Sequence, residues 1–336
     1  MSGRRDSVTL EDVARASGYS RATVSRVVNG DPRVDPDIAS SIEKHVAKLG
    51  YVSNPSARAL AGGSSRTIGL VFAESFLDLF RNPFWGQLVE PVSNVLWQEN
   101  YQVSFLVNDR ARHDQVLTYL RQRHVDGVIL MSLTTESDLT HALAREGFPC
   151  VVVGEPEAGV VVPAIDMDNV AVGRLAAERL LEAGAKHPVA IAGRTDMRVS
   201  DRRISGFTAG LRNAGIRLAS TRVKAGDFTE DGGAAAMAEL LATHPDLDAV
   251  FAANDRMAIG AMNVLQETGR KIPTEIKIVG VDGSALGELT RPRLTSVGGD
   301  WTAFGHSMAH LMLGALRGDA PTTVLHHPTL VDRDSC

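Results

Sequence analysis

The sequence predicts an N-terminal all-α helix-turn-helix headpiece with a hinge helix behind it. After it comes a C-terminal α/β two-lobed body built on parallel sheets. Three observations predict this. Residues 9–29, TLEDVARASGYSRATVSRVVN, place two short helical patterns around a glycine. Residues 54–61, NPSARALA, form a further short helical pattern just before Gly62-Gly63-Ser64-Ser65. From Thr67 onward, short apolar runs alternate with amphipathic helical stretches.

In the head, Thr9 is placed to cap the first helix, and Asp12 three residues later completes a capping box. Leu10, Val13 and Ala14 recur at helical spacing, and Gly18 allows the sharp turn. Ser20 caps a second helix that runs to about Val28. Val24, Val27 and Val28 form its apolar face, while Arg21, Ala22, Ser25 and Arg26 point elsewhere. Asn29-Gly30 stops it. The third helix opens with Asp35 as cap and Pro36 at its first position, where a missing N–H costs nothing. Ile38, Ile42, Val46 and Leu49 then form one stripe toward the other two helices, and Gly50 ends it. A polar, basic face on the second helix of such a pair suits a DNA major groove. The alternative is a small helical domain with an ordinary solvated face.

The next segment can begin a helix, with Asn54 as cap and Pro55 at the first position. About two turns are too few to hold alone in water, because helix nucleation is costly.

The body supplies the runs IGLVF at 68–72, VSFLV at 103–107, GVILM at 127–131 and CVVVG at 150–154. VAIAG at 189–193, AVFAA at 249–253 and IVGVD at 278–282 follow. Helical stretches such as 170–183 and 255–268 separate them. Eight or more such units exceed one sheet, hence two lobes. Pro91 falls inside the helix that begins near Pro83, where its lost hydrogen bond predicts a kink.

Totals narrow the function. The 336 residues carry a net charge of −5, against a wholly basic nucleic-acid coat. Residues 1–61 carry +2 and the remainder −7, so a mildly basic head precedes an acidic body. No apolar run approaches the roughly 20 residues of a membrane span. Arg4 and Arg5 lead into no signal core, so a cytoplasmic protein is expected. Cys150 reads as a buried thiol and Cys336 as an exposed tail thiol, with neither a disulfide framework nor a zinc pattern. The histidines show no ligand spacing, and no metal or cofactor is expected. G-x-G-x-x-G, the phosphate-loop lysine motif, G-x-S-x-G and H-E-x-x-H are all missing, so no enzyme fingerprint is present.

TLEDVARASGYSRATVSRVVNG and GYVSNPSARALA resemble the head and hinge of the lactose-repressor (LacI) family of bacterial transcription regulators. The resemblance implies that the second helix enters the major groove, with Arg21, Ala22 and Arg26 at the base-reading positions. Arginine can donate two bonds to guanine O6 and N7, whereas Ala22 offers an apolar contact. Ser20, Thr23, Ser25 and Asn29 suit phosphates. Thr9, Asn54, Ala57 and Arg58 complete the expected DNA-contacting set. The hinge helix is expected to order only on operator DNA, paired with its twin in the minor groove. Leu60 matches the wedge between base pairs; the alternative for Leu60 is a core leucine.

The body resembles the same family, and through it periplasmic sugar-binding proteins with a ligand cleft between two lobes. The matching segments are Asn82-Pro83-Phe84, DNVAVGRLA at 168–176, RISGF at 203–207, ANDRMAIGAM at 253–262, VGVD at 279–282 and HPTLVDRDS at 327–335. Asn82, Phe84, Arg203, Phe228, Asn254 and Asp282 are thereby implied as effector ligands. Amide, carboxylate and guanidinium groups suit hydroxyls, and aromatic rings suit the C–H face of a sugar. Each has a plainer alternative. Arg203 and Asp282 can form a structural ion pair, the phenylalanines can be core, and Asn254 can cap the helix at Asp255. Arg81, Trp85 and Asp109 are further candidates. The connection FAESFLDLFRNPF at 72–84 is longer than the family's usual one and resembles the branch that answers to oligosaccharides.

The expected domains are 1–53 for the headpiece, 54–65 for hinge and linker, and 66–336 for the body. Lobe one is expected over about 66–164 and 299–320, lobe two over about 165–298 and 321–336. No heptad tail follows the last motif, so a homodimer on a palindromic operator is expected. The resemblance implies a repressor released when a sugar or oligosaccharide closes the cleft. A corepressor-dependent regulator answering to a nucleobase or phosphorylated metabolite stays open, as do a solute-binding protein and an α/β enzyme.

Overall fold

The computed structural model describes residues 8–28, 31, 33–51, 64–108, 112–132, 134–135 and 137–336. Asn29, Asn54, Ala57, Arg58, Leu60 and Asp109 lie outside the described residues. The chain divides into two compact units, one of residues 1–67 with 119–126, the other of residues 68–118 and 127–336.

In the first unit, α1 (Leu10–Ser17) opens on a complete capping box. The Asp12 backbone N–H donates to Thr9 Oγ1 at 3.3 Å, and the Thr9 N–H donates to Asp12 Oδ2 at 3.0 Å. Gly18 closes α1 at φ +74°, a left-handed turn that a side chain would resist. Ser20 accepts from the Thr23 N–H at 3.2 Å and so starts α2 (Arg21–Val28). Asp35 caps α3 (Pro36–Leu49). Val13, Val24, Val27 and Ile42 form the buried centre, with Ile38, Val46 and Leu49 packed around them.

The second unit is built on two six-stranded sheets. The chain runs through β1 (Thr67–Phe72), α4 (Phe76–Arg81), α5 (Pro83–Gln98), β2 (Gln102–Val107) and α6 (His113–Arg121). It continues through β3 (Gly127–Leu130), α7 (Leu139–Arg145), β4 (Cys150–Val153) and β5 (Ala164–Met167). It then crosses into the second lobe with α8 (Asn169–Glu182), β6 (Pro188–Ala192), α9 (Arg198–Asn213), β7 (Val223–Ala225) and α10 (Glu230–Thr243). There follow β8 (Ala249–Ala252), α11 (Asp255–Glu267), β9 (Lys277–Val281), α12 (Leu286–Leu289) and β10 (Thr295–Gly298). The chain crosses back through α13 (Trp301–Arg317) to β11 (Thr323–His326), and a third time to β12 (Thr329–Val331).

Strand order is β11-β5-β4-β3-β1-β2 in the first sheet and β12-β10-β9-β8-β6-β7 in the second. Ladders β1–β3, β3–β4, β4–β5 and β5–β11 are parallel, as are β6–β7, β6–β8, β8–β9 and β9–β10. The β10–β12 pair is antiparallel, so the second sheet is mixed, against the expectation of wholly parallel sheets. The apolar runs are strands, and the central ones are buried on both faces as parallel sheets require, whereas β2, at the sheet edge, is only partly buried.

Two lobe boundaries need correction. Residues 164–167 and 323–326 pair with each other in the first sheet, not in lobe two, so the first and third crossings follow Met167 and His326. Both strands are four residues long and carry polar side chains, which hides them from periodicity.

Pro91 does not interrupt α5, which continues to Gln98. Its ring is buried against α13 at Gly305, where an added Cβ would fall 2.5 Å from Pro91 Cγ. Cys336 is not an exposed tail thiol. It is half-buried, and Ser335 beside it is buried, its hydroxyl donating to the Ile278 carbonyl at 2.7 Å and accepting from the Thr295 N–H at 2.8 Å. Burial pushes the Cys336 thiol up to about 11 and that of Cys150 to about 12, so neither is poised as a thiolate.

Candidate functional site

A cleft of about 1140 Å³, counted to its open mouth, lies between the two lobes. Its walls come mainly from segments at or just after the carboxyl ends of strands, where open α/β sheets hold ligands. Glu74 follows β1, Glu155 follows β4, and Asp166 belongs to β5. Asn254 follows β8, and Asp282 follows β9.

All six position-matched residues, Asn82, Phe84, Arg203, Phe228, Asn254 and Asp282, line this cleft. Trp85 lines it as well; Arg81 is exposed and does not. Asn82 caps α5 by accepting from the Phe84 N–H at 3.2 Å. Phe84 stands edge-on to Trp301 at 4.9 Å between centroids, and Trp301 Nε1 donates to the Asp282 carbonyl at 2.7 Å. One aromatic wall is thus tied to the far lobe. Asn254 caps α11, Oδ1 accepting from the Met257 N–H at 2.9 Å, and its amide donates to the Phe228 carbonyl at 3.1 Å. The cap reading of Asn254 is therefore met, and the same bonds hold Phe228 over the cleft. Phe228 and Asp282 sit at φ +68° and +114°, uncommon for residues with side chains and typical of sites where packing fixes a strained backbone.

Arg203 is the buried cation of the cleft. Nε donates to Asn169 Oδ1 at 2.9 Å and Nη1 to the Ala253 carbonyl at 2.6 Å. Asp282 Oδ1 stands 4.0 Å from Nη1, beyond direct hydrogen bonding. Burial lowers the Arg203 pKa, opposed by the charge of Asp282. Burial raises Asp282 well above the ordinary carboxylate range, opposed by Arg203. Behind them Asp255 accepts from the Ser284 N–H at 2.7 Å and from Ser296 Oγ at 2.6 Å, and burial pushes it up to about 6.

Among the lining residues that escaped the sequence reading, three hold the cleft's polar groups in place. Asn169 orients Arg203, and only its place in DNVAVGRLA hinted at it. Asp166 accepts from Asn169 Nδ2 at 3.0 Å, and burial pushes it up to about 6. Glu74 accepts from Trp85 Nε1 at 2.9 Å and is raised by burial. It belongs to the long 72–84 connection, which forms α4 under a Ser75 cap and does reach the cleft.

In the head, Arg21, Ala22 and Arg26 are exposed on α2, with Thr23 and Ser25 half-buried beside them; Thr9 and Ser20 are exposed at the starts of α1 and α2. Arg21 Nε lies 2.6 Å from Glu11 Oε1, a pair that holds the guanidinium across the two helices. None of the residues expected to contact DNA, within the described set, is part of the head's buried centre.

Residues 9–54 match the model for bacterial regulatory proteins of the lacI family, and residues 177–336 match a periplasmic binding protein-like domain. The HTH-type transcriptional regulator CelR of Thermobifida fusca is 38% identical over 99% of this chain and 99% of its own length. A solved complex of the transcriptional regulator CelR with cellobiose superposes with a TM-score of 0.78 at 37% identity, covering 98% of this chain and 100% of that one. The Lac repressor dimer bound to operator and an anti-inducer gives 0.83 at 26% identity, covering 98% and 99%. With both parts of the chain matched in order and the likeness running its full length, the protein belongs to the lacI family of bacterial regulatory proteins.

Proposed function

We propose that the protein is a repressor that binds a near-palindromic operator as a homodimer and is released when an uncharged sugar or oligosaccharide fills the interlobe cleft. The convergence of Asn82, Phe84, Arg203, Phe228, Asn254 and Asp282 on one cleft carries this reading. The 4.0 Å gap between Arg203 and Asp282 leaves room for a hydroxyl that donates to the carboxyl and accepts from the guanidinium. Phe84 and Phe228 supply faces for sugar C–H groups. The CelR complex makes cellobiose the first effector to test.

The protein acts by binding, without turnover, and in the cytoplasm where its operator lies; no helix among the described residues is long and apolar enough to cross a membrane. Arg21, Ala22 and Arg26 read bases, while Thr9, Ser20, Thr23, Ser25 and Asn29 position the head on phosphates. The hinge at 54–61 carries Leu60 into the minor groove, with Asn54, Ala57 and Arg58 beside it. Effector binding and operator binding oppose each other, so each weakens the other by the same factor.

The test is fluorescence anisotropy of a labelled operator half-site pair titrated with cellobiose and related disaccharides. Release is expected for the wild type and absent for Asp282→Ala, whose operator affinity stays unchanged. Normal release by Asp282→Ala would overturn the cleft assignment.

A further inference from the structure

The first-lobe wall of the cleft holds an acid set up to accept one more hydrogen bond. Asp166 is half-buried on β5. Its Oδ1 accepts from the Met167 N–H at 2.8 Å and from Asn169 Nδ2 at 3.0 Å, which fixes the plane of the carboxyl. Oδ2 accepts nothing among the described residues, although Asp166 lines the cleft. That oxygen is open to the cleft, so a ligand hydroxyl can reach it. Burial raises this carboxyl to about 6, with the field of Arg203 opposing.

Asn169 ties that oxygen to the rest of the site. Its amide nitrogen holds Asp166, and its amide oxygen holds Arg203 Nε. Asp166 and Arg203 are thereby fixed on opposite sides of one side chain. The charge balance points the same way. The cations lining the cleft among the described residues are Arg198 and Arg203. Arg198 is engaged by Glu155, and Arg203 by Asn169 and the Ala253 carbonyl. Glu74, Glu157 and Asp282 also face the space. A phosphate entering here meets five carboxyls against two arginines, both of which already have protein partners.

We propose that Asp166 is a specificity-determining residue of the cleft, whose second oxygen accepts from a hydroxyl of an uncharged sugar and whose charge excludes sugars bearing a phosphate. This rests on the reading of the cleft as a sugar site.

The test is calorimetric titration of the full-length protein with cellobiose and with cellobiose 6-phosphate, for wild type and Asp166→Asn. The amide keeps the acceptor for Met167 and Asn169 and removes the charge. Wild type is expected to bind the neutral sugar at least 100-fold tighter than the ester. Asp166→Asn is expected to bind the neutral sugar at least tenfold more weakly and to discriminate less than tenfold. An unchanged Kd for cellobiose in Asp166→Asn, or wild-type binding of the ester within a few-fold of cellobiose, overturns the proposal. If Asp166→Asn does not fold, monodeoxy cellobioses on the wild type decide. One of them is expected to lose at least tenfold, and equal affinities across the series overturn the proposal. Silence of both sugars toward the wild type overturns the sugar reading itself and the proposal with it, and is distinct from a loss of discrimination.

Discussion

At the scale of single residues, the cleft is built from ionisable groups taken out of water and held by few partners. Arg203 cannot shed its charge, so its two internal hydrogen bonds and the nearby Asp282 offset its desolvation. Asp166 is ionised at neutral pH but takes up a proton readily as the pH falls. Its pKa is raised to about 6 against an ordinary 3.8, so it binds a proton more tightly in the folded state. Its contribution to stability is therefore full below about 4 and is lost as pH rises through about 6. The melting temperature of wild type minus that of Asp166→Asn is expected to fall between pH 4 and pH 6.5 and to stay level above pH 7. Differential scanning calorimetry across that range checks this, and a difference that rises with pH would contradict the assignment.

Elements matter where helices place these residues. Helices α8 and α9 approach so closely that a Cβ on Gly173 would fall 1.9 Å from the Arg203 carbonyl oxygen and 2.5 Å from the Phe207 nitrogen. Gly173 therefore sets the depth at which α9 seats Arg203 against Asn169. Gly173→Ala is expected to cost about 1–3 kcal/mol, the usual penalty for overpacking. It should also weaken effector binding while operator affinity without effector is kept; urea midpoints and sugar titrations together separate the two effects. The proposed hinge at 54–61 belongs to this scale as well. Leu60→Ala is expected to weaken specific operator binding by at least tenfold and to reduce DNA bending, with nonspecific affinity unchanged. Gel-shift titration on operator and on random duplex measures both, and unchanged specific affinity would remove the wedge.

For the whole molecule, the proposed release turns on the balance between an open and a closed cleft. Glu155, after a first-lobe strand, pairs with Arg202 at 2.8 Å and Arg198 at 3.3 Å, both on second-lobe α9. The Thr135 N–H donates across the same gap to the Asp196 carbonyl at 2.8 Å. Parting the lobes would break these contacts, so under the proposed function they favour the arrangement that a sugar is expected to select. The pairs are partly exposed, and such pairs contribute about 1 kcal/mol or less. Glu155→Gln is expected to raise the sugar concentration for half-release of operator by roughly fivefold or less, the effect of about 1 kcal/mol. Salt should erase the difference between the two proteins, and operator anisotropy at low and high salt reads it.

The sequence by itself determined the head almost completely. Thr9, Gly18, Ser20 and Asp35 act on their own helices through contacts three or four residues away, and such local chemistry is written in spacing. It also located the apolar strands, because burial on both faces demands continuous apolar runs. The order of strands, the antiparallel β12 and the three crossings were decided by tertiary structure, since edge strands of three or four residues carry too little pattern to be seen. The cleft divides the same way. That Asn82, Phe84, Arg203, Asn254 and Asp282 would line it was legible through motifs, and Phe228 through its position alone, but Asp166 and Glu74 were not, nor was the role of Asn169. Their roles come from partners that meet only when distant segments fold together, as when Asn169 comes to hold Asp166 with one end of its amide and Arg203, 34 residues away, with the other.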